Sequence, residues 1–140
     1  MATSGMSTSR NSQLIRNSPV TTVANKPNVM LHSQPEDFES FYVIQGQVTL
    51  FLEGQEPVEA SAGSYAYVPA GLPHAFRVTS ETAGVLNYTT PLHEQFFLAV
   101  ADPAPSFELP PEGPPDIERL EAAAQRFGVE ILGPPPGASN

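Results

Sequence analysis

Glycine and proline divide the middle of this chain into segments too short for long helices. Between residues 39 and 89, Gly46, Gly54, Gly63 and Gly71 separate short runs rich in β-branched and aromatic side chains. Turn signals that recur every 8–12 residues or so are typical of a β-sandwich or a jelly roll. With 16 prolines and 10 glycines among 140 residues, the chain is therefore predicted to be all-β, a small jelly-roll barrel.

The segments between these turns predict the strands. Gly54 is expected to make a hairpin turn, because glycine adopts positive φ without steric cost. The predicted strands are residues 41–44, 47–53, 58–60, 65–68, 74–78 and 85–89, with a further candidate at 19–24 and a final strand at 129–132.

The remaining segments fix the expected domain organisation. Asp116 is predicted to cap a C-terminal helix that Gly128 ends. Its apolar stripe comprises Ile117, Leu120, Ala124 and Phe127. The expected divisions are a flexible tail at 1–18, the barrel at 19–100, a Pro-rich linker and the helix packed on the barrel at 101–133, and a tail at 134–140. Residues 19–24 are the only strand candidate ahead of the first motif, so the barrel is expected to be short on one side or completed by a partner chain.

Composition narrows the functional classes. The chain has no cysteine, so disulfides and thiolate metal sites are excluded and any metal must bind nitrogen and oxygen ligands. Residues 1–35 carry three basic and no acidic residues (+3), and residues 36–140 carry 15 acidic residues against three arginines (−12), which sums to −9. An acidic body of this kind disfavours nucleic acid. No apolar run approaches 18 residues, so no membrane span is predicted and a cytoplasmic location is expected.

Three rows of alternate residues carry the side chains whose nitrogen or oxygen atoms are candidate metal ligands. Residues two apart on a strand point to the same face. The rows are Met30, His32 and Gln34; Glu39, Phe41 and Val43; and His74, Phe76 and Val78. Each row combines a polar donor with apolar residues, so donors from separate strands are expected to converge inside the barrel.

The spacing of these donors resembles the paired motifs of the cupin family. The first motif runs His, one residue, His, four residues, Glu, six residues, Gly, and His32, Glu39 and Gly46 fit it. Gln34 stands at the second histidine position, which is a departure from the pattern.

The second motif is the more specific half of the resemblance. It runs Gly, five residues, Pro, one residue, Gly, two residues, His, three residues, Asn. Gly63, Pro69, Gly71 and His74 all occupy their places, and Val78 replaces the terminal Asn. The resemblance covers about residues 28–132.

Within the cupins, the chain is most similar to the quercetin 2,3-dioxygenase group. The similarity rests on segments 41–46, 68–76, 94–97 and 127–134. In that group a metal binds the deprotonated oxygen of a flavonol, O2 adds across the heterocycle, and the ring opens with loss of carbon monoxide. The resemblance implies an aromatic small-molecule substrate, O2 and a homodimer.

The resemblance also implies a metal site. His32, Glu39 and His74 would be ligands, and Gln34 either a weak fourth ligand or a hydrogen-bond donor to the ligands. Two imidazoles and a carboxylate suit non-haem Fe(II), the preferred ion among Fe, Ni, Mn, Cu and Zn. Glu39 and His74 are the expected catalytic residues, and Glu39 would accept the proton of the substrate hydroxyl with a pKa that a low-dielectric interior tunes toward the working pH. The expected substrate pocket comprises Met30, Phe41, Tyr65, Tyr67 and Phe76.

Two other functional classes remain open. A metal-free isomerase or cyclase would use Glu39 and His74 as acid and base. A binding cupin would hold an aromatic ligand without turnover, and Gln34 together with the short N-terminal side favours this reading. For each residue taken singly, a core histidine, a solvent-facing strand glutamate or a core aromatic is the more common role; the coincidence of three donors at three motif positions favours the metal site.

Overall fold

Twelve strands and two helices make up the described part of the chain. The computed structural model describes residues 6–9, 13–16, 20–24, 29–103, 114–134 and 136–137. The helices are α1 (Pro91–Val100) and α2 (Ile117–Phe127). The strands are β1 (Met6–Ser9), β2 (Gln13–Arg16), β3 (Val20–Ala24), β4 (Leu31–Ser33), β5 (Glu39–Gln45), β6 (Gln47–Leu52), β7 (Val58–Ser61), β8 (Tyr65–Val68), β9 (His74–Val78), β10 (Thr82–Thr89), β11 (Ala101–Pro103) and β12 (Glu130–Gly133).

The strands form two antiparallel sheets that face each other across one core. The larger sheet has the order β11-β1-β2-β3-β10-β5-β8, and the smaller has the order β12-β4-β9-β6-β7. Inward-facing apolar side chains of both sheets fill the space between them: Phe41, Val43, Val68, Ala83 and Val85 from the larger sheet, and Val48, Leu50, Ala60 and Val78 from the smaller. This arrangement confirms the predicted all-β jelly roll.

The two helices form a second apolar cluster beside the barrel. Phe96 of α1 packs with Ala123, Ala124 and Val129, and partly buried residues of both helices surround them. Asp116 caps α2 through its side chain, and Gly128 ends it at φ 70°, as predicted. Ile117 differs from the predicted stripe, since it lies 45% exposed.

The C-terminal segment returns to the smaller sheet. β12 pairs with β4, placing Ile131 opposite His32 and Glu130 opposite Ser33. The Ser33 hydroxyl also donates to the Glu130 carboxylate at 3.2 Å. Because β12 follows α2 in the chain, this pairing connects the helices to β4, the strand that carries His32.

The predicted tail over residues 1–18 lies partly outside the described residues, and its described parts, 6–9 and 13–16, form β1 and β2. β1 pairs with β2, β2 pairs with β3, and β3 pairs with β10, all antiparallel. These strands also supply the side of the barrel that was expected to be short. The sequences of β1 and β2 lack apolar alternation. Hydrogen bonds between strands join backbone groups, however, and do not require apolar side chains. Within the described ranges, none of the helices has the length and apolar character needed to cross a membrane.

Gly46 gives a test of this packing. It has φ +77°, and a Cβ there would overlap the Thr82 carbonyl oxygen and lie 2.9 Å from the Ala83 Cα, whereas Gly54 has φ +76° and open space around it. We expect Gly46→Ala to lower the free energy of unfolding by roughly 3 kcal/mol, because a steric clash adds to the strain of the left-handed backbone. The matched Gly54→Ala should cost only about 1 kcal/mol from backbone strain. Urea denaturation measures both, and equal losses would contradict this account of Gly46.

Candidate metal centre

His32 and His74 lie directly opposite each other in neighbouring strands. β4 and β9 run antiparallel, and these two residues are partners in the register. Their ring centroids are 4.4 Å apart. His74 is fully buried, and the His32 side chain is 13% exposed, so His32 is the imidazole nearer to solvent.

Glu39 reaches the same point from the facing sheet. It is the first residue of β5, where it lies between Val68 of β8 and Thr89 of β10. Its Oε2 is 2.8 Å from His74 Nε2 and 3.7 Å from His32 Nε2. The ligand atoms of His32, Glu39 and His74 all lie within 4.8 Å of one another. The structure thus brings the three predicted metal-binding side chains together.

The two imidazoles are oriented as metal ligands usually are. Nδ1 of His32 lies 2.8 Å from the Met30 carbonyl oxygen, and Nδ1 of His74 lies 2.8 Å from that of Leu72. A carbonyl oxygen only accepts, so each Nδ1 carries the hydrogen. Without a metal, an Nε2 atom that donates to the Glu39 carboxylate must also carry a proton, as in the doubly protonated ring. In the neutral ring, Nε2 has a free lone pair that can bind a metal. Two such nitrogens and one carboxylate oxygen fit a divalent transition metal.

Glu39 remains ionised because several groups donate to it. Burial, the largest single effect, raises the pKa of Glu39, but hydrogen bonds from His32, His74 and His93 together lower that pKa well below its usual range. Burial likewise lowers the pKa of His32, and the hydrogen bond and charge of Glu39 outweigh it, so the net pKa of His32 is raised. The expectation that the low-dielectric interior would raise the Glu39 pKa is therefore wrong for this arrangement.

Gln34 lies in the site and presents a donor. Its side chain is buried, and its Nε2 donates to Glu39 Oε2 at 2.9 Å. Its backbone carbonyl accepts from Gly71 at 2.8 Å, which joins the first motif to the second. In this structure Gln34 is thus a hydrogen-bond donor to a ligand, and coordination through its amide oxygen stays a prediction.

Two polar residues of the site were missed by the sequence analysis. Asn87 on β10 donates to Glu39 Oε1 at 2.8 Å, and His93 on α1 places Nε2 3.1 Å from the same oxygen. The signal for His93 was available: it is one of three histidines in the chain, and it lies on one helical face with Phe96 and Phe97. All three histidines therefore surround one carboxylate.

The residues predicted to line a substrate pocket divide into two groups. Phe41 is buried, with its ring 6.4 Å from that of His74, so it lies beside the site. Phe76 packs against Phe41, with ring centroids 5.8 Å apart. Met30, partly buried, contributes its carbonyl to His32. Tyr65 and Tyr67 do not line it: they are 62% and 54% exposed.

This correction for Tyr65 and Tyr67 follows from the alternation of β8. Ala66 and Val68 of that strand pack in the core, so the residues between them point to the outer face of the sheet. Tyr67 instead packs against Phe38, with ring centroids 5.8 Å apart.

Comparison with known proteins identifies the barrel. Residues 21–89 match the family described as "Cupin domain". The chain is a member of the cupin superfamily. It is 35% identical over 66 residues to quercetin 2,3-dioxygenase of Bacillus subtilis (strain 168). That match covers 46% of this chain and 19% of the Bacillus enzyme, so the chain spans about a fifth of its relative's length.

Solved structures give further similarities to this cupin. A double-stranded β-helix protein of unknown role from Klebsiella pneumoniae is 16% identical with a TM-score of 0.48, over 64% of this chain and 76% of that one. A sugar phosphate isomerase of the cupin superfamily from Silicibacter pomeroyi is 24% identical with a TM-score of 0.46, over 51% and 47% of the two chains.

The raised pKa of His32 predicts how the stability of the metal-free cupin depends on pH. A group whose pKa is higher in the folded state stabilises fully below its unfolded value, about 6.5 for imidazole, and loses this contribution as pH rises through the folded value. We expect the stability difference between the wild type and His32→Asn to be larger at pH 6 than at pH 9. The Asn amide keeps a donor near the Met30 carbonyl. Chemical denaturation in EDTA measures both proteins, and a difference that grows with pH would contradict the assignment.

Proposed function

We propose that this cupin is a metal-dependent oxygenase that acts on an aromatic small molecule with an acidic hydroxyl, such as a flavonol or a polyketide-like compound. The observation that carries the proposal is the donor set: two Nε2 atoms and one carboxylate oxygen within 4.8 Å of one another, from two facing sheets. This set leaves coordination positions for a substrate and for O2. The similarity to quercetin 2,3-dioxygenase supports the choice of substrate class.

A bound divalent ion, with Fe(II) as the preferred ion, would hold the substrate oxygen and stabilise its deprotonated form. His32, His74 and Glu39 would hold the ion. Phe41 and Phe76 would exclude water from one side of the site and contact a flat ring, since Phe41 lies 6.4 Å from His74 between ring centroids and Phe76 packs against Phe41.

The proton of the substrate hydroxyl is proposed to pass to Glu39. In the metal-free arrangement the low pKa of Glu39 makes it a weak base, because the imidazoles donate to it. Neutral imidazoles that direct Nε2 lone pairs at an ion no longer donate to the carboxylate. A bound ion would itself make Glu39 a weaker base, but it would also lower the pKa of the substrate hydroxyl, which favours transfer of that proton to Glu39.

Metal content and O2 consumption test the proposal. Protein purified without an affinity tag should contain close to one equivalent of Fe, Ni, Mn, Cu or Zn, or bind one on reconstitution, and should consume O2 with quercetin or a related enol. His74→Ala should lose most metal affinity, because it removes one of three ligands. Tyr67→Ser, on the outer face of β8, should leave affinity and turnover unchanged. Protein that no divalent ion can load would exclude the oxygenase.

Gln34→His is a second test of the ligand geometry. A histidine at this position restores the first cupin motif, and we expect it to raise metal affinity at least tenfold, since imidazole is a better ligand than a neutral amide for these ions. Competition titration with a chromophoric chelator measures the change. An unchanged affinity would show that position 34 does not face the ion.

A metal-free isomerase or cyclase is the second candidate function. The 2.8 Å contact between His74 Nε2 and Glu39 Oε2 supports it, because a buried imidazole and carboxylate in contact can exchange a proton without an ion. Activity that persists after complete chelation would favour this candidate, and binding of an aromatic ligand without turnover would favour a binding cupin.

A further inference from the structure

His93 enters the site from outside the part of the chain that matches the cupin family. That match ends at residue 89, and His93 lies in the first turn of α1. Its side chain has no exposed surface. A fully buried imidazole in contact with a carboxylate of the proposed metal site indicates a structural or chemical role.

The two oxygens of Glu39 have different surroundings. Oε2 faces the Nε2 atoms of His32 and His74 and accepts from Gln34. Oε1 lies 3.1 Å from His93 Nε2 and accepts from Asn87 at 2.8 Å. His93 does not belong to the group of ligand atoms within 4.8 Å of one another. It therefore contacts the carboxylate oxygen that does not face the ion site.

Packing and the start of α1 fix the His93 ring. The ring stacks on Phe96, with centroids 5.5 Å apart and planes 5° from parallel, and meets the edge of Phe97 at 4.8 Å. Thr90 caps the helix by accepting from the His93 backbone N–H, and its hydroxyl donates to the Asp37 carboxylate. The loop that leads to Glu39 is thus tied to the helix that carries His93.

A second contact links His93 to Glu39 through Gln34. Gln34 Nε2 lies 3.2 Å from His93 Nε2. A neutral His93 either donates from Nε2 to Glu39 or accepts there from Gln34, because one ring nitrogen cannot do both. In both cases the ring restrains Glu39, either directly or through the amide that donates to it.

We infer that His93 is a positioning residue for Glu39: it holds the carboxylate from the side opposite the ion, so that Glu39 presents one oxygen to the metal and helix α1 sets the geometry of the centre. The inference rests on the proposed metal site. It predicts that the contacts of His93, rather than its bulk, determine metal affinity and coordination geometry.

Three substitutions of His93 distinguish the effect of its polar contact from the effect of its side-chain volume. In His93→Gln the amide reaches the Nε2 position and can donate to Glu39 or accept from Gln34. His93→Met has nearly the same shape as Gln without the amide, and the amide of His93→Asn is too short to reach Glu39. All three lose the aromatic ring, so the comparison among them isolates the polar contact. Thermal unfolding of the metal-free proteins checks that each variant folds.

Titration with Co(II), followed by visible absorption, reads both affinity and geometry. We expect the wild type and His93→Gln to bind within about threefold of each other with similar spectra. His93→Met and His93→Asn should bind at least about tenfold more weakly, the loss typical when a hydrogen-bond partner of a ligand is removed. Their d–d bands should change in intensity as the carboxylate changes its binding mode. If His93→Met does not fold, the comparison of His93→Gln with His93→Asn tests the inference.

The outcomes distinguish the two proposals. If Gln, Met and Asn at position 93 give the same affinity and spectrum, His93 has no positioning role, while the metal site of the wild type stands. If the wild type does not bind Co(II) or any other divalent ion, the metal site is wrong and the role of His93 is wrong with it.

Discussion

The buried carboxylate of Glu39 is the interaction on which the site depends. An ionised carboxylate out of contact with water is strongly disfavoured unless charge and hydrogen bonds compensate for the lost hydration. Here imidazole and amide nitrogens supply that compensation from several directions: His32, Gln34, His74, Asn87 and His93. They come from β4 and the residue after it, from β9, from β10 and from α1, so the barrel must close correctly before Glu39 is stabilised.

This dependence joins the C-terminal third of the chain to the chemistry. The sequence analysis predicted α2 as a helix packed on the barrel and gave it no chemical role. In the structure α2 packs against α1, which carries His93, and β12 pairs with β4, which carries His32. The segment beyond residue 100 therefore supports two of the three histidines. A disturbance of the α1–α2 cluster would reach the metal centre through contiguous packed side chains.

The sequence predicted most of the barrel and the three clustered donors because both depend on local rules. Alternation placed Glu39, Phe41 and Val43 on one buried face, as observed. Alternation holds in β8 as well, but in a strand of four residues it does not show which face is buried, and the pairing with β5 places Tyr65 and Tyr67 on the outer face. The aromatic character of these two residues suggested that they line a substrate pocket, but the register of β8 places both side chains on an exposed surface.

The strands β1 and β2 and the role of His93 depend on contacts between distant parts of the chain. Backbone pairing at the sheet edge is compatible with a polar sequence, so composition alone favoured a tail over residues 1–18. His93 follows the barrel in sequence, and only the return of α1 toward Glu39 brings it into the site. The fact that the chain has three histidines would have been a useful guide, since a buried carboxylate needs donors.

Gln34 shows how a departure from the family motif can fit the same site. A carboxylate oxygen has about two lone-pair directions. Glu39 Oε2 can therefore accept from the Gln34 amide and still face an ion between His32 and His74. An amide donates to this oxygen at any pH, whereas an imidazole there would compete for the ion as a further ligand. In the proposed metal centre, replacing a ligand by a donor would leave two nitrogens and one oxygen from the protein, and the position of the missing imidazole would stay open.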